Sequence, residues 1–167
     1  MNLQKNKMYL YNKMDGFLKL VLIGIGLRFL FKTPAASTGA PLGQRAQKLV
    51  GLIEKGPNGQ DSSMFAQLLR SEISEQERAV LIFSASWCGH CTKMKKKRVP
   101  EKIAQALRSE KIPVFLIDAS EQAVGMAFDV NSFPAIKFYR GGTERGTFTG
   151  EKRDPAEVAK QARRALP

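Results

Sequence analysis

Ala79-Val80-Leu81-Ile82-Phe83-Ser84-Ala85-Ser86-Trp87-Cys88-Gly89-His90-Cys91 is the stretch that decides the reading of this chain. Ala79 to Ala85 is a continuous apolar run ending in small residues. It reads as a strand buried on both faces, at the centre of a sheet with helices on either side. The chain's two cysteines and its single histidine follow at once. A two-residue gap between cysteines favours a reactive pair over a structural staple. A helical stretch follows from Cys88 to about Ser109, with Met94, Ile103 and Leu107 among its apolar positions. Pro100 must kink or break it. Cys88 therefore lies at a turn from strand to helix. The first N–H groups of a helix are unpaired and carry partial positive charge, so a thiolate there is stabilised. A protonated His90 adds to that stabilisation, and Trp87 shields one side of the sulfur.

Other uses of the two cysteines fit poorly. Structural zinc wants four ligands, and one CxxC with an intervening histidine does not supply them. Covalent haem attachment needs histidine directly after the second cysteine, and position 92 is Thr. No metal is therefore expected.

Outward from this stretch, the 167 residues suffice for one ordinary domain plus extra segments. Hydrophobic content of 43% and charged content of 25% are near globular averages, which excludes wholesale disorder. The net charge of +12 suits an acidic partner or an anionic surface and says nothing about fold. Lys93, Lys95, Lys96, Lys97 and Arg98 form a basic run. It reads as solvated helix surface; the functional alternative is a positive field that recruits acidic substrates. No aromatic residue interleaves the run, so nucleic acid is not an expected partner.

Phe17 to Phe31 (FLKLVLIGIGLRFLF) is apolar except for Lys19 and Arg28. It is shorter than the roughly 20 residues that span a bilayer core, although both cations could snorkel from its ends. Three readings stay open: a short signal anchor, a cleaved signal peptide, or a basic organelle transit peptide. Thr33 to Pro41 reads as a linker. Gly43 to Lys55 has helical apolar spacing and a Gly56-Pro57 stop. This helix either packs on the domain or lies on a membrane. Asp61 offers a cap for a helix through Phe65, Leu68 and Leu69.

The segment around Cys-Gly-His-Cys resembles the thioredoxin superfamily, in the form typical of catalytic domains of protein disulfide isomerases. The resemblance extends over about residues 62–166. It implies a core strand at Ile112 to Asp118, a helix at Ala119 to Phe128, and a strand at Ala135 to Tyr139. A hairpin at Gly141-Gly142, an edge strand at Glu144 to Phe148 and a last helix from Asp154 to about Leu166 complete it. Asp129 to Ala135 resembles the family's substrate loop, which makes Pro134 its cis-proline. The chain departs from the family at Ile82, where a buried acid is usual six positions before the first cysteine. The lysine that usually partners that acid is also missing from Val114 to Ile117. Losing both is self-consistent, since either alone would be a buried unpaired charge. Lys96 replaces the usual helix proline.

The fold expected is thus α/β, a thioredoxin fold with a central mixed sheet flanked by helices. A signal anchor or targeting segment at 1–32 and a linker with a short amphipathic helix at 33–60 precede the thioredoxin-like domain at 61–167. The resemblance implies a protein disulfide oxidoreductase or isomerase with Cys88 as nucleophile, Cys91 as resolving thiol and His90 holding the thiolate. Trp87, Phe133 and Pro134 would form the substrate groove. No cofactor is expected beyond the Cys88–Cys91 disulfide itself. The partners implied are cysteine-containing proteins, a thiol/disulfide redox partner, and a membrane contacted through residues 17–31. The compartment implied is extracytoplasmic, endoplasmic reticulum lumen or periplasm-like. Two alternatives are a redox-weak binding or chaperone module and a membrane-tethered cytosolic reductase.

Overall fold

A computed structural model describes residues 43–57, 61–150 and 153–167. The targeting segment expected at 1–32, with its apolar run at 17–31, lies outside the described residues. So does the linker up to residue 42. Among the described residues no helix is long and apolar enough to cross a membrane.

The chain order is α1 (Gln44–Lys55), α2 (Ser62–Ser74), β1 (Arg78–Ser84), α3 (Gly89–Lys96), α4 (Val99–Ala106), β2 (Val114–Asp118), α5 (Gln122–Ala127), β3 (Ala135–Arg140), β4 (Thr143–Thr147) and α6 (Pro155–Ala165). The sheet order is β2-β1-β3-β4. β1 runs parallel to β2 and antiparallel to β3, and β3 pairs antiparallel with β4. The sheet is therefore mixed, with β1 interior, as its unbroken apolar run requires.

Alternation along β1 divides the core. Ala79, Leu81 and Phe83 enter one cluster with Phe65, Leu69, Phe115 and Phe128 from the side of α2 and α5. Val80 and Ile82 enter the other with Met94, Ile103, Leu107 and Val158 from the side of α3, α4 and α6. Burying both faces of β1 between helices is the geometry of a strand with no polar side.

Local chemistry fixes the ends of these elements. The Asp61 carboxylate accepts from the Ser63 amide at 2.8 Å and caps α2. The Asp154 carboxylate accepts from the Glu157 amide at 3.1 Å and caps α6, with Pro155 in its first turn. Gly142 has a φ of +74° in the β3–β4 hairpin. A Cβ there would come within 2.8 Å of Ser74 at the end of α2, so the turn and the close approach both demand glycine.

Three expectations need correction or refinement. The single helix expected from Cys88 to Ser109 is two helices. Arg98, at φ 54° and ψ 40°, separates them, and Pro100 sits in the first turn of α4. Inside one continuous helix Pro100 would remove an N–H donor and collide with the Lys96 carbonyl; at a helix start it does neither. The helix expected from Ala119 is shorter, beginning at Gln122. The Ser120 amide donates instead to the Asp118 carboxylate at 2.9 Å, which diverts the backbone into a turn. Finally, α1 is no peripheral linker helix. Leu49 and Ile53 are fully buried and join the core cluster of α2. Of the two placements expected for this helix, it takes the one on the domain.

Candidate active site

Cys88 is the N-cap residue of α3, with φ −86° and ψ 112°. Its sulfur accepts a hydrogen bond from the Cys91 amide at 3.2 Å. The start of the helix thus presents one of its unpaired N–H groups to this sulfur. The backbone around it is tied down. The Cys88 amide donates to the Ala85 carbonyl at 3.2 Å, and the Thr92 amide donates to the Cys88 carbonyl at 3.1 Å.

Cys88 and Cys91 are both thiols and both buried, Cys91 fully so. Burial pushes the Cys91 thiol up to about 11, and its contact with the Cys88 sulfur adds to the rise. The Ala85 backbone and the Lys95 charge pull the other way. The pair is asymmetric: an outer sulfur with a donor aimed at it, and an inner sulfur that keeps its proton.

This asymmetry has a measurable sign. Iodoacetamide near neutral pH should modify Cys88 and spare Cys91, as read by mass mapping. Cys91 should become reactive only as the pH nears 11. Because its folded pKa is raised, the stabilisation linked to its proton is complete below about 9 and is lost as the pH climbs towards 11. Equal labelling of the two thiols at neutral pH would refute the assignment.

Trp87 stands 69% exposed beside the motif and meets the Phe133 ring edge-on, with centroids 5.4 Å apart. Phe133 is half-buried and packs against Ala85, Cys88 and Cys91. The Phe133–Pro134 peptide bond is cis, and Pro134 is buried. Its carbonyl accepts from both Nε and Nη2 of Arg153, at 3.2 and 3.0 Å. Trp87, Cys88, Phe133 and Pro134 are thus brought together. His90 lies in the first turn of α3, exposed, and no hydrogen bond or ion pair holds its ring among the described residues.

In the basic run, Lys93, Lys96 and Lys97 are exposed and Lys95 is half-buried. Ile82 is fully buried, in register with Leu116 on β2 and Ile136 on β3. The place of the usual acid is therefore filled by aliphatic side chains on three strands. Among the described residues no group of His, Cys, Asp or Glu could hold a metal ion.

Two parts of the site were not legible in the sequence. Arg153 reaches the Pro134 carbonyl across 19 positions, and nothing in its neighbourhood marks it out. The second part is a serine latch. The Ser86 amide donates to the Ser120 hydroxyl at 2.8 Å, and the two hydroxyls lie 3.1 Å apart. Ser120 is in turn bonded to the Asp118 carboxylate. This ties the residues just before Trp87 to the end of β2. Three short polar residues at the ends of adjacent strands were the only available hint.

A family model described as Thioredoxin matches residues 61–163. Among curated proteins, a protein disulfide-isomerase of Ricinus communis is 38% identical over 91 residues, covering 52% of this chain and 17% of that protein. A protein disulfide-isomerase A4 of Bos taurus is 42% identical over 77 residues, covering 43% of this chain and 11% of that protein. The aligned part of the chain thus spans about a sixth or less of these relatives' length. Among solved structures, the first two thioredoxin domains of Naumovozyma dairenensis Eps1p superpose with a TM-score of 0.50 at 20% identity. That match covers 60% of this chain and 39% of the other, and it speaks for the fold alone.

Proposed function

Because the chain belongs to the thioredoxin family, we propose that it is a thiol–disulfide oxidoreductase of the disulfide-isomerase type, acting on cysteine-containing proteins. The observation that carries this is the asymmetric pair: Cys88 capping α3 with the Cys91 amide on its sulfur, and Cys91 buried behind it. Cys88 attacks a substrate disulfide as thiolate, and one substrate sulfur leaves. Cys91 then attacks the Cys88 sulfur, forming the Cys88–Cys91 disulfide and freeing the second substrate thiol. Run backwards, the same steps oxidise a substrate dithiol. A thiol/disulfide partner resets the pair, and no other cofactor takes part.

In this reading His90, when protonated, favours the Cys88 thiolate and so the dithiol form. The disulfide form is then the stronger oxidant. Trp87 and Phe133 supply the apolar wall of a groove whose floor is Pro134. An extended substrate segment lies along it. Insulin reduction with and without Cys88 tests the proposal.

One observation favours a second reading, a redox-weak binding module. Ile82 and Leu116 are apolar where an acid would help move the Cys91 proton. No insulin reduction by the intact chain, with binding of an unfolded client kept in Cys88→Ala, would select that reading.

The remaining proposals concern residues 1–60. Residues 1–32 act as a signal anchor or targeting segment that contacts the membrane through 17–31. Residues 33–60, whose helix α1 packs into the core of the thioredoxin-like domain at 61–167, connect it to that domain, which works outside the cytosol. The chain should resist alkaline carbonate extraction, and its domain should be shielded from protease in sealed vesicles. Protease sensitivity on the cytosolic side would instead mark a tethered cytosolic reductase.

A further inference from the structure

Resolution of a mixed disulfide requires a proton to leave Cys91. Burial holds that thiol well above neutral pH, so its proton does not leave unaided. The usual buried acid is absent, since Ile82 occupies its place. A different polar pair lies nearer the motif.

Ser84 is 1% exposed, and its hydroxyl oxygen is buried with no hydrogen-bond partner among the described residues. It follows Ile82 on the same face of β1, because alternate residues of a strand share a face. α3 packs back over that face, and Met94 joins Ile82 in one cluster. One turn nearer the motif, Cys91 packs against Ala85, the residue that follows Ser84 at the end of β1. The sulfur also feels the backbone of Ala85, the residue bonded to Ser84. On the other side, Ser84 is the register partner of Asp118 in the parallel β1–β2 ladder. Partners in such a ladder point to one face on strands about 4.8 Å apart. Asp118 is half-buried. Ser120 engages one of its carboxylate oxygens; the other has no partner among the described residues. A buried hydroxyl without a protein partner is a place for an ordered water.

We propose that Ser84, with the water its hydroxyl calls for, and Asp118 form the path by which the Cys91 proton leaves during resolution. The inference rests on the oxidoreductase reading above and deepens it. The Cys91 S–H gives its proton to the Ser84 hydroxyl or its water, which passes a proton to the free oxygen of Asp118 and on to solvent. The Cys91 sulfur pair forms the bond to Cys88. The Cys88–substrate bond breaks, and its electron pair leaves on the substrate sulfur, which is protonated by solvent. The substrate disulfide is reduced as the cysteine pair is oxidised, so no further redox agent is needed. Cys88, His90, Lys93 and Lys95 share the helix of Cys91 or its cap, of which Cys88 and Lys95 bear on its thiol; Asp118 lies on β2 in register with Ser84, and Arg153 lies on the Pro134 carbonyl. Of these only Asp118 is an acid. Ser84 and Asp118 act on the proton through a water or each other and are positioning residues.

The test is stopped-flow reaction of the reduced full chain with 5,5′-dithiobis(2-nitrobenzoate). Attack by Cys88 releases one coloured thiolate, and resolution by Cys91 releases a second. Ser84→Ala and Asp118→Asn should leave the first phase within about twofold, and an unchanged circular dichroism spectrum checks that each variant is folded. Each should slow the second phase about tenfold or more at pH 7. The deficit should close as the pH approaches 11, where hydroxide removes the proton unaided. Ser84→Thr, which keeps the hydroxyl, should retain the second phase. Second-phase rates equal to wild type at every pH, or a deficit that does not change with pH, overturn the path. A wild-type chain with no second phase at any pH overturns the exchange reading itself, and the path with it.

Discussion

Cys88→Ala should abolish insulin reduction, lowering the rate by about a thousandfold or more. Cys88 is the sulfur that caps α3 and receives the Cys91 amide, whereas Cys91 is fully buried and holds its proton. With alanine at 88 the remaining thiol can neither reach a protein disulfide nor ionise near neutral pH. Cys91→Ser should fail differently. Cys88 would still attack, but nothing would release the product, so disulfide-linked adducts should accumulate on non-reducing gels and vanish with dithiothreitol. Turnover at the wild-type rate by Cys88→Ala would dismiss the enzyme reading. Adducts trapped by Cys88→Ala rather than by Cys91→Ser would reverse the two roles.

The double substitution Leu49→Ala with Ile53→Ala should bring the domain close to unfolding, although neither residue lies in the family-matched region. Both side chains are fully buried in the cluster that contains Phe65, Leu69 and Leu81. Removing a buried Leu or Ile side chain to Cβ destabilises by about 2–5 kcal/mol, through lost transfer free energy plus the cavity left behind. The two lie one turn apart on α1, so their effects share a cavity and need not add. Even so, the pair removes a large part of the roughly 5–15 kcal/mol that holds a domain folded. Urea denaturation followed by circular dichroism should show a lower midpoint for each single variant and the lowest for the pair. Unfolding free energies unchanged within about half a kcal/mol would show that α1 contributes nothing to the core. Truncation at Asp61, the start of the family match, should weaken the domain for the same reason.

Much of the fold could be read from residue order because its signals are local. The apolar run Ala79 to Ala85 had no polar face to turn to water, so it had to be interior, and β1 is interior. Asp61 and Asp154 cap helices through bonds two or three residues long. Gly142 turns the hairpin by its own φ. Pro100 was legible as a disruption but not as a helix start; which side of the break it joins depends on the αL turn at Arg98. Likewise, the spacing of Leu49 and Ile53 announced an apolar face but not what it faces, since a membrane and a core make the same demand on a helix.

The sequence by itself determined that Cys88 and Cys91 are a closely spaced pair at a strand-to-helix turn, and that no buried acid precedes them at Ile82. Connectivity and side-chain type are enough for both. Only the tertiary structure decided how unequal the two sulfurs are, because burial of Cys91 comes from Ala85, Phe133 and the packing of α3 on the sheet. It also decided which distant groups surround them. Arg153 meets the Pro134 carbonyl from 19 residues away, and Asp118 meets Ser84 across a parallel ladder from 34 residues away. A parallel pairing cannot be closed by a turn and leaves no local mark on either strand. Its partners are chosen by register, and register is settled by the fold as a whole.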